Sequence, residues 1–195
     1  MKVKSISYRN DPIILGVPTF KLPIPFPFNV PLVASEVWNV LENAGIPGVK
    51  GVWFGLGFVW ASFMVISIKQ QYAGHPKQAA LAAISCKAST MGGQYVVVVD
   101  DDIDITNELE VLCTIVNCAT MDGFDFIEHI KTGAGFAPTI RKEAKAKGLM
   151  MGGRIIIDAC WPFEDLDKRM KTHRFSNQYQ EEIKEKWPTL FNRTK

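Results

Sequence analysis

The chain has 195 residues, 47% of them hydrophobic, with 22 basic against 20 acidic side chains and a net charge of +2. That length and apolar content suffice for a core in one domain, or one domain and a tail. Balanced charge without a long basic run argues against a nucleic-acid partner. Cys86, Cys113, Cys118 and Cys160 form no CxxC and lie far in sequence from the three histidines. Reduced thiols in a cytoplasmic protein are therefore expected, rather than a structural zinc site.

The opening MKVKSISYRNDP has no apolar run and does not read as a signal peptide. Val3 to Tyr8 alternates as a strand does, and Asn10-Asp11-Pro12 is turn chemistry. Residues 18 to 31 hold Pro18, Pro23, Pro25, Pro27 and Pro31 with Phe20, Phe26 and Phe28. A helix cannot persist there; the segment reads as extended and presenting its aromatics, or as a connector packed across an apolar surface. Val33, Val37, Val40 and Leu41 form a helical stripe in Leu32 to Ala44, ended by Gly45 and Pro47. Gly51 to Ile68 is 18 uncharged residues, the lower limit for a membrane span. Its glycines and its β-branched and aromatic content favour two buried strands instead, Val49 to Phe54 and Phe58 to Ile68, around a Gly-Leu-Gly turn. No membrane partner is expected.

His75 to Thr90 reads as a second helix, with Pro76 in its first turn and Ala79, Ala80, Ala82 and Ala83 permitting close packing. Gly92-Gly93 interrupts the chain before the strand Tyr95 to Val99. The order β-α-β-β-α-β predicts an α/β (α+β) fold, a split βαβ sheet with helices on one face. A third helix, Asn107 to Cys118, is started by Thr106 or Asn107 and has Glu108 and Glu110 well placed in its first turn. Residues 119 to 138, with Gly123, Gly133, Gly135 and Pro138, read as irregular, followed by a short basic helix from Arg141 to Lys147 and a strand from Arg154 to Ala159. Beyond Trp161 the chain is charged, with a helix from Ser176 to Lys186 and then Trp187, Leu190 and Phe191. The expected organisation is an α/β domain at 1–160 and a C-terminal helical tail at 161–195 docking on a partner subunit.

Asp100, Asp102 and Asp104 have the spacing that opens an EF-hand loop, but Ile105 stands where glycine is needed and Val111 where the closing glutamate belongs. The run reads better as a turn in which some carboxylates accept backbone N–H bonds and others face water. His75 and Lys77 open a helix, where an anion can bind, although a solvated helix start is the plainer reading. Lys87 sits late in an alanine-rich helix, beside Gly92-Gly93, on what is otherwise a solvent-facing stripe. Cys113 and Cys118 read as core thiols. No G-x-G-x-x-G follows a strand, and neither a P-loop nor a nucleophile elbow is present.

Five segments in order are similar to the C-terminal portion of the UbiD-type decarboxylases: ISYRNDPIILG at 6–16, AGIPGVKGVW at 44–53, SIKQQYAGHPKQAALAA at 67–83, YVVVVDDDIDITNELEVL at 95–112 and GGRIIIDACWPFE at 152–164. The resemblance implies carboxy-lyase chemistry, run in either direction, on aromatic or α,β-unsaturated carboxylates. It implies prenylated FMN as cofactor, with a divalent metal and, as a further candidate, K+. The cofactor carries the reaction while protein groups bind, orient and move protons. In the family, the glutamate–arginine–glutamate acid–base groups and the metal ligands lie in a preceding domain, and these 195 residues contain neither motif.

The resemblance therefore implies no catalytic residue and no metal ligand in this chain, which alone is expected to be inactive. Lys87 matches a basic position that reaches the flavin phosphate, with a one-residue gap. Phe26, Phe28, Met91, Gly92 and Phe136 fall where the family lines its substrate pocket. The expected partner is a larger UbiD-like catalytic subunit in a hetero-oligomer, with Met1 just before the first strand fitting a natural gene break. The alternative is a non-catalytic assembly or regulatory module that keeps the fold; a truncated fragment is a third reading.

Overall fold

Four consecutive valines are too short a run for a helix and suit a strand covered on both faces. Tyr95–Asp100 is such a strand, β3, at the centre of the computed structural model, with Val96, Val97, Val98 and Val99 fully buried. The structure describes residues 3–13, 30–55, 63–91, 93–131, 142–148, 151–169 and 175–188. Among these, helix α1 (Val30–Asn43) leads into β1 (Val49–Gly55) and β2 (Phe63–Ile68); α2 (His75–Ser85) and a short 3-10 turn (Ala88–Met91) lead into β3. Then come α3 (Glu108–Cys118), β4 (Phe124–Lys131), α4 (Lys142–Ala146), β5 (Met151–Asp158) and α5 (Asn177–Lys186).

The strands form one sheet in the order β1-β2-β3-β5-β4. β2, β3 and β5 run parallel, with Val65 opposite Val97 and Val97 opposite Ile157. β1 and β4 close the two edges antiparallel. Alternation in β3 splits the core in two. Val96 and Val98 face a cluster with Val37 and Leu41 of α1 and Ala79, Ala80 and Ala83 of α2, while Val97 and Val99 face Val111 and Ile115 of α3. Each fully buried side chain of this size contributes about 1.5–3 kcal/mol. Two helices thus share one face, and the third covers the other.

Several expectations are corrected. Val3 to Tyr8 lies exposed and joins no ladder among the described residues; alternation alone makes a segment extended, not paired. The second helix stops at Ser85, where Cys86 turns to extended backbone, and the chain re-coils only as the 3-10 turn. The stretch read as irregular contains β4; a register shift between Ile127 and Ile130, with His129 at φ 62°, breaks the period-two pattern that marks a strand. β5 starts three residues before Arg154 and ends at Asp158. Cys113 is exposed and Cys118 half-buried, because α3 turns Val111 and Thr114 to the sheet; Cys86 and Cys160 are the buried thiols.

In the uncharged stretch after Lys50, β1 and β2 pair antiparallel, residues 56–62 with the expected turn and strand start lie outside the described residues, and no described helix is long and apolar enough to cross a membrane. The chain divides into two compact units, Met1–Phe163 and Glu164–Lys195. In the second, Ser176 caps α5 by accepting the Tyr179 N–H, and Trp187 stays half-exposed at its end. Leu190 and Phe191 lie outside the described residues.

Candidate functional site

The two ends of the parallel strands differ in chemistry. At their C-terminal ends lies the aspartate run. Asp100 is only 4% exposed, and its carboxylate accepts from Gln70 Nε2 at 2.7 Å and from the Trp161 backbone N–H at 2.8 Å. It ties the ends of β2 and β3 to the chain leaving β5. Asp104 Oδ1 accepts from the Thr106 N–H at 3.0 Å and its hydroxyl at 2.7 Å, and Glu110 reaches back to the Asp104 N–H at 3.0 Å. Asn107 caps α3 through Glu110 N. The carboxylates are spent on turn and cap geometry, as the sequence suggested. Among the described residues no group of three His, Cys, Asp or Glu side chains is placed to hold a metal ion. Asp158, at the end of β5, is pushed above the ordinary carboxylate range by burial and by the neighbouring Asp100 charge, while the Cys160 N–H at 3.1 Å opposes the shift.

At the N-terminal end of β3 the turn after α2 presents cations. Lys87 is exposed and makes no ion pair among the described residues. Its carbonyl accepts both the N–H and the hydroxyl of Thr90, at 3.1 and 2.7 Å, and the buried Ser89 hydroxyl donates to Ile84 and Cys86 carbonyls at 3.0 and 2.9 Å. These local bonds fix the turn that carries Lys87. Gly93, at φ +65°, returns the chain to β3, and a side chain there would press on Met64. Met91 ends the 3-10 turn; Gly92, Phe26, Phe28 and Phe136 lie outside the described residues.

Two residues behave unlike their sequence readings. Lys77 is committed to Asp125 at 3.0 Å, which leaves no free lysine at the start of α2. His75 is fully buried, neither solvated nor open to a ligand. Its ring stacks on Tyr72 at 4.4 Å, and Nδ1 accepts from the Gln71 N–H at 3.3 Å, so the neutral ring carries its proton on Nε2. Burial lowers its pKa from the ordinary 6.5, and the Pro47 carbonyl offsets the shift only in part.

That shift sets a pH dependence. As pH falls below 6.5 the unfolded chain takes up the proton before the folded one. The stability contribution is full above that value and is lost progressively below it. Urea midpoints at about pH 7.5 and about pH 5.5 should differ more for the native chain than for His75→Gln. Equal differences would show that His75 does not carry the effect.

Arg154 was not anticipated as a site residue. It is a lone base in an apolar strand, 3% exposed, and its guanidinium reaches the Ser89 carbonyl at 3.4 Å beneath the Lys87 turn. Burial lowers its pKa. The signal available in the sequence was the one base beside the apolar run Ile155 to Ile157, at a position a strand covered on both faces would otherwise fill with an apolar residue.

Comparison with known proteins places this geometry. The structure is similar to the UbiD-class enzyme HmfF from Pelotomaculum thermopropionicum in complex with FMN, at 21% identity and TM-score 0.61, over 76% of this chain and 31% of that one. It is also similar to the apo 3,4-dihydroxybenzoic acid decarboxylase from Enterobacter cloacae, at 16% identity and TM-score 0.64, over 77% and 32%. A third is the vanillic acid decarboxylase ShVdcCD of Sedimentibacter hydroxybenzoicus in open form, with truncated ShVdcD, at 21% identity and TM-score 0.60, over 82% and 32%. The chain spans about a third of the length of these structures. At such identities the likeness establishes the fold. The family follows from the sequence: residues 29–159 match the 3-octaprenyl-4-hydroxybenzoate carboxy-lyase C-terminal domain, and the chain belongs to the UbiD family through that domain.

Proposed function

We propose that this chain is the small subunit of a heteromeric UbiD-like enzyme that adds or removes CO2 on aromatic or α,β-unsaturated carboxylic acids. A larger subunit would hold prenylated FMN, the divalent metal and the acid–base groups. The observation that carries the reading is Lys87: an exposed cation, without an ion pair among the described residues, on a hydrogen-bonded turn of a UbiD C-terminal domain, at the position where the family resemblance implies a base reaching the flavin phosphate. Support for two chains comes from ShVdcCD, a neighbour with a separate ShVdcD component.

Lys87 suits a phosphate, whereas among the described residues no group of three His, Cys, Asp or Glu side chains is placed to hold a metal. When bound, the flavin supplies the reactive centre at which CO2 is lost or gained. Lys87 binds and orients it. Met91, which ends the same turn, would face the substrate. The larger subunit's groups move the proton. Unit 164–195, with Trp187 exposed, docks on that subunit.

A second reading, a non-catalytic assembly module, draws on α3. Leu109, Leu112 and Val116 form an exposed apolar stripe at helical spacing, opposite the face packed on the sheet. In a complex reconstituted with the larger subunit, Lys87→Ala separates the two. The subunit reading predicts flavin affinity about ten- to a hundredfold weaker, the loss expected for one charge-assisted bond. Flavin affinity and turnover both unchanged would favour the module.

A further inference from the structure

Arg154 is a buried cation for which the described residues provide no counter-charge. Its Nη1 and Nη2 reach the Gly153 and Ser89 carbonyls at 3.4 Å each, beyond the usual hydrogen-bond range, and Nε has no partner. All 20 Asp and Glu side chains lie among the described residues, and none pairs with Arg154. A guanidinium keeps its proton in proteins, so it cannot escape burial by neutralising itself. A buried charge without a partner is among the costliest features a fold can keep.

The position narrows what supplies the missing charge. Ser89, whose carbonyl Arg154 contacts, stands two residues after Lys87, itself unpaired. Asp125 is already taken by Lys77. Two cations and no acid at one turn match a dianion; a carboxylate would leave one positive charge over. Arginine's planar fork also suits the oxygens of a phosphate.

We propose that Arg154 is a buried anion receptor that, with Lys87, binds the phosphate group of a phosphorylated ligand at the turn between α2 and β3. The inference rests on the reading of the Lys87 turn as a ligand site. It adds a second, internal cation to that site.

The test is thermal unfolding of the full chain in inorganic phosphate, in FMN, in benzoate, and in chloride at matched ionic strength. Phosphate and FMN should raise the midpoint by about 5 °C or more near a hundredfold excess over Kd, with chloride and benzoate without effect. Arg154→Met should unfold at the same temperature as the parent or higher without anion, and should lose the phosphate response. Lys87→Gln, a surface change, should weaken phosphate binding about tenfold, and it decides the matter if Arg154→Met does not fold.

An equal response in the parent and Arg154→Met, a response to benzoate matching that to phosphate, or no response to phosphate and FMN would each overturn the proposal. Phosphate binding by this chain, without flavin binding by the reconstituted complex, would uphold the receptor and remove the enzyme reading. Flavin binding by the complex that Arg154→Met leaves unchanged would do the reverse.

Discussion

Asp100→Ala should lower the unfolding free energy by about 3 kcal/mol, with the urea midpoint falling and its slope unchanged. The carboxylate is buried and makes two short bonds, to Gln70 Nε2 at 2.7 Å and to the Trp161 N–H at 2.8 Å. Truncation removes both and strands two donors, each bond to a charged group being worth about 1.5–3 kcal/mol. Asp100→Asn keeps one acceptor oxygen and turns an amide toward the other donor, so it should recover only part of the loss. Asp101→Asn, one residue on and exposed, should stay within about 0.5 kcal/mol of the parent. An Asp101 effect as large as that of Asp100 would mean that the run acts as a collective charge site, contrary to the turn described here.

A second large effect is expected at Gly48. Its φ is +66°, and an added Cβ would stand 2.5 Å from the Lys69 carbonyl oxygen and 3.1 Å from Gln71 Nε2. The Gly48 carbonyl also accepts the Lys69 N–H at 2.8 Å where β2 ends beside β1. Gly48→Ala therefore adds a backbone clash to the left-handed penalty of about 1–2 kcal/mol, and a total loss of about 3 kcal/mol or more should follow. Gly45 provides the control. It has φ +76° but nothing within 4 Å of an added Cβ, so Gly45→Ala should show the conformational penalty alone. Equal losses at the two positions would show that the Lys69 contact carries no weight.

Legibility in the sequence followed the length scale of the forces. The valine run of β3, the alanine face of α2 and the stripe of α1 are local patterns, and each becomes the expected element. The cap of α3 was legible as one of two neighbours, since Asn107 acts on an N–H three residues away. β4 was not, because its bulge at Glu128 and His129 disturbs the alternation and its identity depends on pairing with β5. Burial was the least legible quantity. His75 and Lys77 both looked like solvated helix-start residues, yet one lies under Tyr72 and the other pairs with Asp125, which is 48 residues later in the chain.

The candidate site divides the same way. Lys87 was identified through family resemblance, because nothing local distinguishes one exposed lysine from another. The fold supplies what the sequence could not: the turn that holds it, and Arg154 on a strand 67 residues further along, reaching the Ser89 carbonyl under that turn. A lone base in an apolar strand was visible, but its lack of a carboxylate partner among the described residues is a three-dimensional fact. The aspartates show the converse, a conspicuous chemical signal that the structure spends on holding strand ends together.

The central claim is that this chain works as part of a larger flavin enzyme, and native mass measurement of the protein purified from its own cells tests it most directly. The account predicts an assembly in which the 21.8 kDa chain is bound to a larger chain carrying flavin. Recovery of the chain only as a stable 21.8 kDa monomer, with neither flavin nor partner, would contradict it.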